Sequence, residues 1–268
     1  MTRIIAFTNQ KGGSGKTTSA INVAAGLARS LPSGQGVLFV DADAQANATA
    51  VFLGLKFAAG PHDERTVYEV LMDDQPDAGA AIHHIELVAR GTIPAARLDL
   101  LPSHLRLAAA ELDLVSAFQR ESRLRDALAP LREAYQYIII DSPPAIGLLT
   151  LNVLMAATEV IIPVDPGYFP LIGIGLLQQT IEKVRRANPG LRIAGVLPVM
   201  FNDTTVSRTT HEALVHQFNG LVLPSVPRRT AIAEAVMANQ DIFAYEPLSH
   251  AGAAAYAAVV REIINRGT

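Results

Sequence analysis

The stretch Gln10-Lys11-Gly12-Gly13-Ser14-Gly15-Lys16-Thr17-Thr18 constrains this chain more than any other. It follows an apolar run, Ile4-Ile5-Ala6-Phe7, that reads as a buried strand, and it precedes residues 19–28, which read as a helix. Strand, glycine-rich turn and helix in that order build a phosphate-binding loop. The glycines let backbone N–H groups turn inward around an anion, and the helix N-terminus adds its partial positive charge. Lys16 is spaced to reach the β- and γ-phosphates of a nucleotide, and the Thr17 hydroxyl to bind Mg²⁺. The common pattern G-x-x-x-x-G-K-[ST] is met only in part. Gln10 stands where the first glycine belongs, Gly12 and Gly13 lie inside the loop, and a second lysine, Lys11, stands near its start.

Downstream, apolar strands alternate with helices. Residues 37–41, 135–141, 159–164 and 192–200 read as strands; 148–157, 171–188, 206–219, 230–239 and 252–265 read as helices. Gly34-Gln35-Gly36 supplies a turn before the second strand. Residues 85–89 and 98–101 read as a short hairpin, and 221–223 as a further short strand. Helical spacing runs from 105 to 133 through Leu107, Leu112, Leu114, Val115, Phe118, Leu124, Leu128 and Leu131. Residues 58–77 read as a surface excursion with a short helix near 66–72. The strands are apolar without alternation of face, the mark of a parallel sheet covered on both sides. The expectation is one α/β domain spanning 1–268, a doubly wound, mostly parallel sheet with helices on both faces.

A chain of 268 residues, 50% hydrophobic and 18% charged, has a substantial core and is not disordered. The absence of cysteine removes disulfides, thiolate metal sites, iron–sulfur clusters and thiol catalysis. No apolar run approaches a membrane span, and the chain enters its first strand at once, so no signal peptide is expected. With a net charge of −3, any nucleic-acid contact must come from a local patch.

In an open parallel sheet, ligands bind beyond the carboxyl ends of the strands. Two of those ends carry acids. Asp141 is placed to hold a water of the Mg²⁺ shell; its ordinary alternative is a cap on the next turn or helix. Asp41 and Asp43 point to one side if the chain stays extended. Asp41 is then a candidate for the metal shell and Asp43 for orienting an attacking water; the alternative is a solvated acidic turn.

At this point a resemblance carries the reading further. Residues 11–18 resemble the deviant Walker A motif of the ParA/MinD superfamily. Asp41-x-Asp43-x-Gln45-x-Asn47 resembles its D-x-D-P-Q-x-N motif, with Ala44 in place of proline. Ile139-Ile140-Asp141-Ser142-Pro143-Pro144 resembles its Walker B segment. Pro102-Ser103 with Leu107 and Glu111, and Val226-Pro227-Arg228 with Glu234-Ala235, resemble two further ParA stretches. The match spans nearly the whole chain and resembles the small ParA form, without an N-terminal helix-turn-helix and hence without operator-specific DNA binding.

The resemblance implies a slow Mg²⁺-ATPase that forms an ATP-dependent sandwich dimer and binds non-specific DNA. A ParB-like or adaptor partner would trigger hydrolysis, and a plasmid, chromosome origin or protein body would be positioned. A cytoplasmic, nucleoid-associated location and no membrane contact follow from the same resemblance. It makes Lys11 the signature lysine, reaching a partner's phosphates, and assigns Asn202, Pro227 and Arg228 to adenine. Thr204 and Ala231 stand where DNA-contacting arginines are frequent. Arg185, Arg186, Arg192, Arg208, Arg228, Arg229 and Arg261 remain as basic candidates. Two rivals stay open. A MinD-like protein needs a basic amphipathic tail, which residues 261–268 do not provide. A P-loop metabolic enzyme needs a substrate pocket, which residues 58–100 could supply.

Overall fold

The computed structural model describes residues 2–32, 35–61, 63–167 and 170–267. Gly34, expected in the turn before the second strand, lies outside them. Among the described residues the strands are β1 (Arg3–Phe7), β2 (Gly36–Asp41), β3 (His83–Leu87), β4 (Ala96–Leu101), β5 (Tyr135–Asp141), β6 (Glu159–Val164), β7 (Arg192–Phe201) and β8 (Val226–Pro227). They form one 8-stranded sheet in the order β3-β4-β2-β5-β1-β6-β7-β8. Neighbours are parallel except β3–β4, the expected hairpin, which closes one edge.

The first half of the chain contributes helices α1 (Lys16–Ser30), α2 (Asn47–Leu53), α3 (Leu55–Ala59), α4 (Val67–Met72), α5 (Ala110–Asp113) and α6 (Arg123–Leu128). The second half adds α7 (Leu148–Ala156), α8 (Pro170–Val184), α9 (Thr205–Gln217), α10 (Thr230–Met237), α11 (Ile242–Tyr245) and α12 (Ala251–Asn265). Successive strand residues enter opposite cores. Ile4, Ala6, Leu38, Val40, Ile138 and Ile140 pack under α4, α6 and α7; Ile5, Phe7, Val37, Phe39 and Ile139 pack under α1 and α12. The middle positions of β1 and β2 and residues 137–140 of β5 are therefore apolar on both faces, and each fully buried aliphatic side chain contributes roughly 2 kcal/mol. Helix α1 lies close against α12. A Cβ on Gly26 would fall 2.6 Å from Val260 Cγ2, so only glycine permits that approach.

Three expectations are corrected. The 105–133 stretch is not one helix but a chain of single turns, α5 and α6, interrupted at Gln119 with φ 51°. Leu112, Val115 and Phe118, named there for their helical spacing, are exposed, while Leu107, Leu114, Leu124 and Leu128 are buried. Residues 221–223 make only one parallel bridge, Val222 to Val196; the strand follows at Val226–Pro227. The polar loop after Asp41 turns at Asn47 into α2, which the sequence reading did not place.

At the opposite end of the sheet from the glycine-rich loop, Glu159 ties three strands. Arg3 donates to both its oxygens at 2.9 and 2.7 Å, and Arg192 adds a bond of 3.0 Å. Burial raises this carboxyl, but the two arginines outweigh it and hold it below the usual range. Its contribution is thus present above about pH 4, the unfolded value, and is lost as pH falls through the depressed folded value. Glu159→Gln should cost about 3 kcal/mol in denaturant unfolding, because it leaves Arg3 buried and unbalanced.

Candidate active site

The sheet order sets the site. Strand β5 lies between β2 and β1, with Asp141 in register with both Asp41 and Phe7. The ends of three strands are therefore side by side, and the glycine-rich loop leaves the middle of the sheet from β1. Its start is pinned to β6: Thr8 N donates to Ile161 O at 3.1 Å, and Asn9 Nδ2 to Pro163 O at 2.6 Å. Gly13 and Gly15 have φ of 72° and 77°, left-handed values that side chains rarely adopt. A Cβ at Gly12 or Gly13 would meet nothing within 4 Å, so the loop presents an open backbone face. Gly15 caps α1 without a side-chain bond, which leaves the first N–H groups of a 15-residue helix available to an anion.

The loop opens onto a cavity of about 560 Å³ lined by Gly12–Thr18 with Asp43, Gln45, Asn47 and Pro144. A second, of about 240 Å³, adjoins it at Gly15 and Thr18 and is lined by Val199, Met200, Pro227, Arg228 and Tyr256. The structure thus brings Pro227 and Arg228 to the loop. Asn202 is exposed beyond β7, its backbone N–H donating to Ser207 Oγ, and lines neither cavity.

Lys16 is 6% exposed, its Nζ 3.3 Å from Lys11 O. Burial lowers its pKa, and Asp141 and Asp43 oppose that shift. Asp141 is fully buried, and neither carboxylate oxygen has a close hydrogen bond among the described residues. Burial raises its pKa well above the ordinary value and Asp41 raises it further; the nearby Thr17 hydroxyl and Lys16 pull the other way. The Ser14 hydroxyl is likewise buried without a partner. Two orphaned polar groups beside an open backbone cradle fit a phosphate with a hard cation. Thr17 and Asp141 are the oxygen donors such a cation takes.

Asp41, expected in the metal shell, has both its oxygens engaged by backbone and side-chain donors of the chain. Its Oδ2 accepts from Thr49 N at 2.8 Å and Thr49 Oγ1 at 2.7 Å, and its Oδ1 from Asp43 N at 3.3 Å. Both oxygens serve the start of α2. Burial pushes this carboxyl up to about 6, against the pull of the Thr49 bonds. Asp43 is oriented by its own turn, with Gln45 N donating to Oδ1 at 3.0 Å. Lys11 points away from the loop mouth; its Nζ pairs with Asp165 Oδ2 at 2.5 Å, and its side chain is 57% exposed. Asp165, Thr49 and the positions of Ser103 and Glu111 gave no role in the sequence. Each acts through a tertiary contact that no local pattern announces.

A glycine-rich loop on the central strand of a doubly wound sheet, with a buried lysine and carboxylates on adjoining strand ends, defines a P-loop nucleotide-binding protein. A family profile described as an AAA domain matches residues 2–193. The sporulation initiation inhibitor protein Soj of Bacillus subtilis is 38% identical over 270 residues, covering 100% of both chains. Chromosome partitioning protein ParA of Myxococcus xanthus is 39% identical over 269 residues, 99% of this chain and 89% of ParA. A plasmid partition protein from Borrelia burgdorferi bound to AMPPNP superposes with TM-score 0.78 at 25% identity, covering 100% of both chains. Cobyrinic acid a,c-diamide synthase from Mycobacterium smegmatis with bound ADP and magnesium gives TM-score 0.77 at 32% identity, covering 100% of this chain and 96% of that one. The chain belongs to the AAA-domain family of P-loop ATPases, in its ParA/Soj partition group.

The buried acids leave a signature in the ligand-free protein. A carboxyl harder to ionise in the folded chain than in the unfolded one opposes folding once it is charged. That penalty is absent below about pH 4, grows as pH rises toward the folded value of about 6 for Asp41, and is complete above it. Thermal stability without Mg²⁺ and nucleotide should therefore fall between about pH 4 and 6. Asp141→Asn should stabilise the ligand-free protein by about 1–2 kcal/mol at pH 7.5, roughly 2–6 °C by calorimetry, and flatten that slope.

Proposed function

We propose that this chain is a ParA-type Mg²⁺-ATPase in which ATP drives formation of a sandwich dimer. The observation that carries the reading is the different placement of two lysines in one loop: Lys16 is buried at the cavity, Lys11 stands outside it. The backbone N–H groups of residues 12–18 cradle the phosphates, Ser14 offers its free hydroxyl, and Lys16 binds the β- and γ-phosphates. Thr17 and Asp141 hold Mg²⁺, which when bound supplies charge neutralisation at the phosphate oxygens. Asp43 orients the attacking water, and Asp41 holds the loop that carries it. The cavity at Pro227 and Arg228 is of a size and position to take the adenine. Lys11 swings from Asp165 to a partner's phosphates, acting as a cation supplied in trans, as an arginine finger does.

The remaining functions of the group are proposed on the same footing. Hydrolysis is slow until a ParB-like or adaptor protein stimulates it, and the dimer positions a plasmid, chromosome origin or protein cargo on the nucleoid. Non-specific DNA binding rests on a reduced patch. Arg185, Arg192 and Arg208 are paired with Glu182, Glu159 and Asp203. Arg186, Arg228, Arg229 and Arg261 are exposed and carry no ion pair among the described residues. Dimerisation doubles those charges, which suffices for a few phosphate contacts. Against a metabolic ligase, no residue of 58–100 lines the cavity at the loop. Against a MinD-like membrane anchor, the apolar face of α12 (Tyr256, Val259, Val260, Ile263) is buried in the core, and no described helix is long and apolar enough to span a membrane.

Molar-mass measurement by light scattering with ATP, ADP and no nucleotide tests the reading. Asp43→Ala should hold the dimer in ATP. Lys16→Ala should abolish ATP binding, and Lys11→Ala should bind ATP yet stay monomeric. A Lys11→Ala protein that still dimerised and hydrolysed ATP normally would remove the trans role. The Lys11–Asp165 pair is partly exposed and worth at most about 1 kcal/mol, so Asp165→Asn should lower the ATP concentration for half-dimerisation by up to about fivefold. Salt-sensitive binding of random DNA only in ATP is the expected DNA behaviour.

A further inference from the structure

The loop that carries Asp43 is fastened from a distant part of the chain. Residues 43–46 form a turn closed by Ala46 N donating to Asp43 O at 2.9 Å, with Ala44 at its second position. The same carbonyl accepts a second bond, from Ser103 Oγ at 2.7 Å, across 60 positions of sequence. Ser103 N donates to Thr49 Oγ1 at 2.8 Å, and Thr49 Oγ1 donates onward to Asp41. Ser103, Thr49 and Asp41 are all fully buried. Besides the chain between them and the direct bond from Asp43 N to Asp41 Oδ1, Asp43 is thus joined to Asp41 by a buried relay through Ser103 and Thr49.

We infer that Ser103 is a positioning residue for Asp43, fixing the turn so that the carboxylate meets the attacking water. The inference rests on the reading of Asp43 as the water-orienting group. The physical need is local. Asp43 reaches the cavity from a turn, not from the strand itself, and Ala46 holds a left-handed φ of 51°, a conformation that alanine disfavours. Ala44 leaves φ free at the position where proline would fix it in a type I or II turn. The buried hydroxyl supplies the missing constraint. Its lone contact is to a backbone carbonyl, so it acts on geometry and takes no part in the chemistry itself.

The test is single-turnover ATP hydrolysis alongside fluorescent-nucleotide binding in the full chain. Ser103→Ala should cut the hydrolysis rate about tenfold, since small misplacements at a reacting centre are costly, with ATP affinity within about twofold of the parent. In an Asp43→Ala background the same change should have no further effect on rate. Ala44→Pro added to Ser103→Ala should recover at least about threefold by restoring order to the turn. Thr49→Val, which keeps the side chain's shape and removes the relay's middle hydroxyl, gives a second reading with the same expected split if Ser103→Ala folds poorly. An unchanged rate in both single variants, losses additive with Asp43→Ala, or no recovery with proline would overturn the inference. A parent that binds ATP but never hydrolyses it would instead overturn the ATPase reading.

Discussion

The structure depends on one register: Phe7, Asp141 and Asp41 stand abreast at the ends of three parallel strands. Adjacent strands are about 4.8 Å apart, so this register forces two carboxylates into one dry space behind a lysine. Their raised pKa values express the conflict. A fold selected only for stability would place apolar or hydrogen-bonded groups there. The chain resolves half of the conflict itself, because Asp41 is satisfied by Thr49 and Asp43. Asp141 is left unsatisfied, and that residual demand makes the site one that gains by taking up a cation.

The two lysines of the loop divide along the same line. Lys16 begins a helix whose inner face is buried, so its ammonium is held among the acids and away from water. Lys11 precedes the glycines, where the backbone leaves the sheet, and it finds an acid on the neighbouring strand end instead. A weak, solvent-screened pair of this kind is easily exchanged for a better one. The loop therefore has one buried cation and one that is half-exposed and paired with a neighbouring acid.

The stretch from the end of β4 through α5 contacts both acidic loops. Ser103 fastens the turn after β2, and Glu111 accepts from Leu148 N and Leu149 N at 2.8 and 3.1 Å, closing the loop after β5 onto α7. Gly147 allows it; a Cβ there would fall 2.4 Å from Glu111 Oε1. One short stretch of chain thus hydrogen-bonds to both strand-end loops.

Much of this was legible in the residues alone. Central strands apolar on both faces, helices between them and a glycine loop on the first strand determine a two-faced parallel sheet and a phosphate site, because those patterns are local. The helical spacing across 105–133 misled, since Leu112, Val115 and Phe118 share a period with the buried leucines but not their side of the chain. Which partners Asp41 and Lys11 find, and what fastens the turn at Asp43, were decided by the tertiary structure. Each depends on a contact between separate elements, from 8 positions apart for Asp41 and Thr49 to 154 for Lys11 and Asp165, and hydrogen bonds of that kind have no sequence period to reveal them.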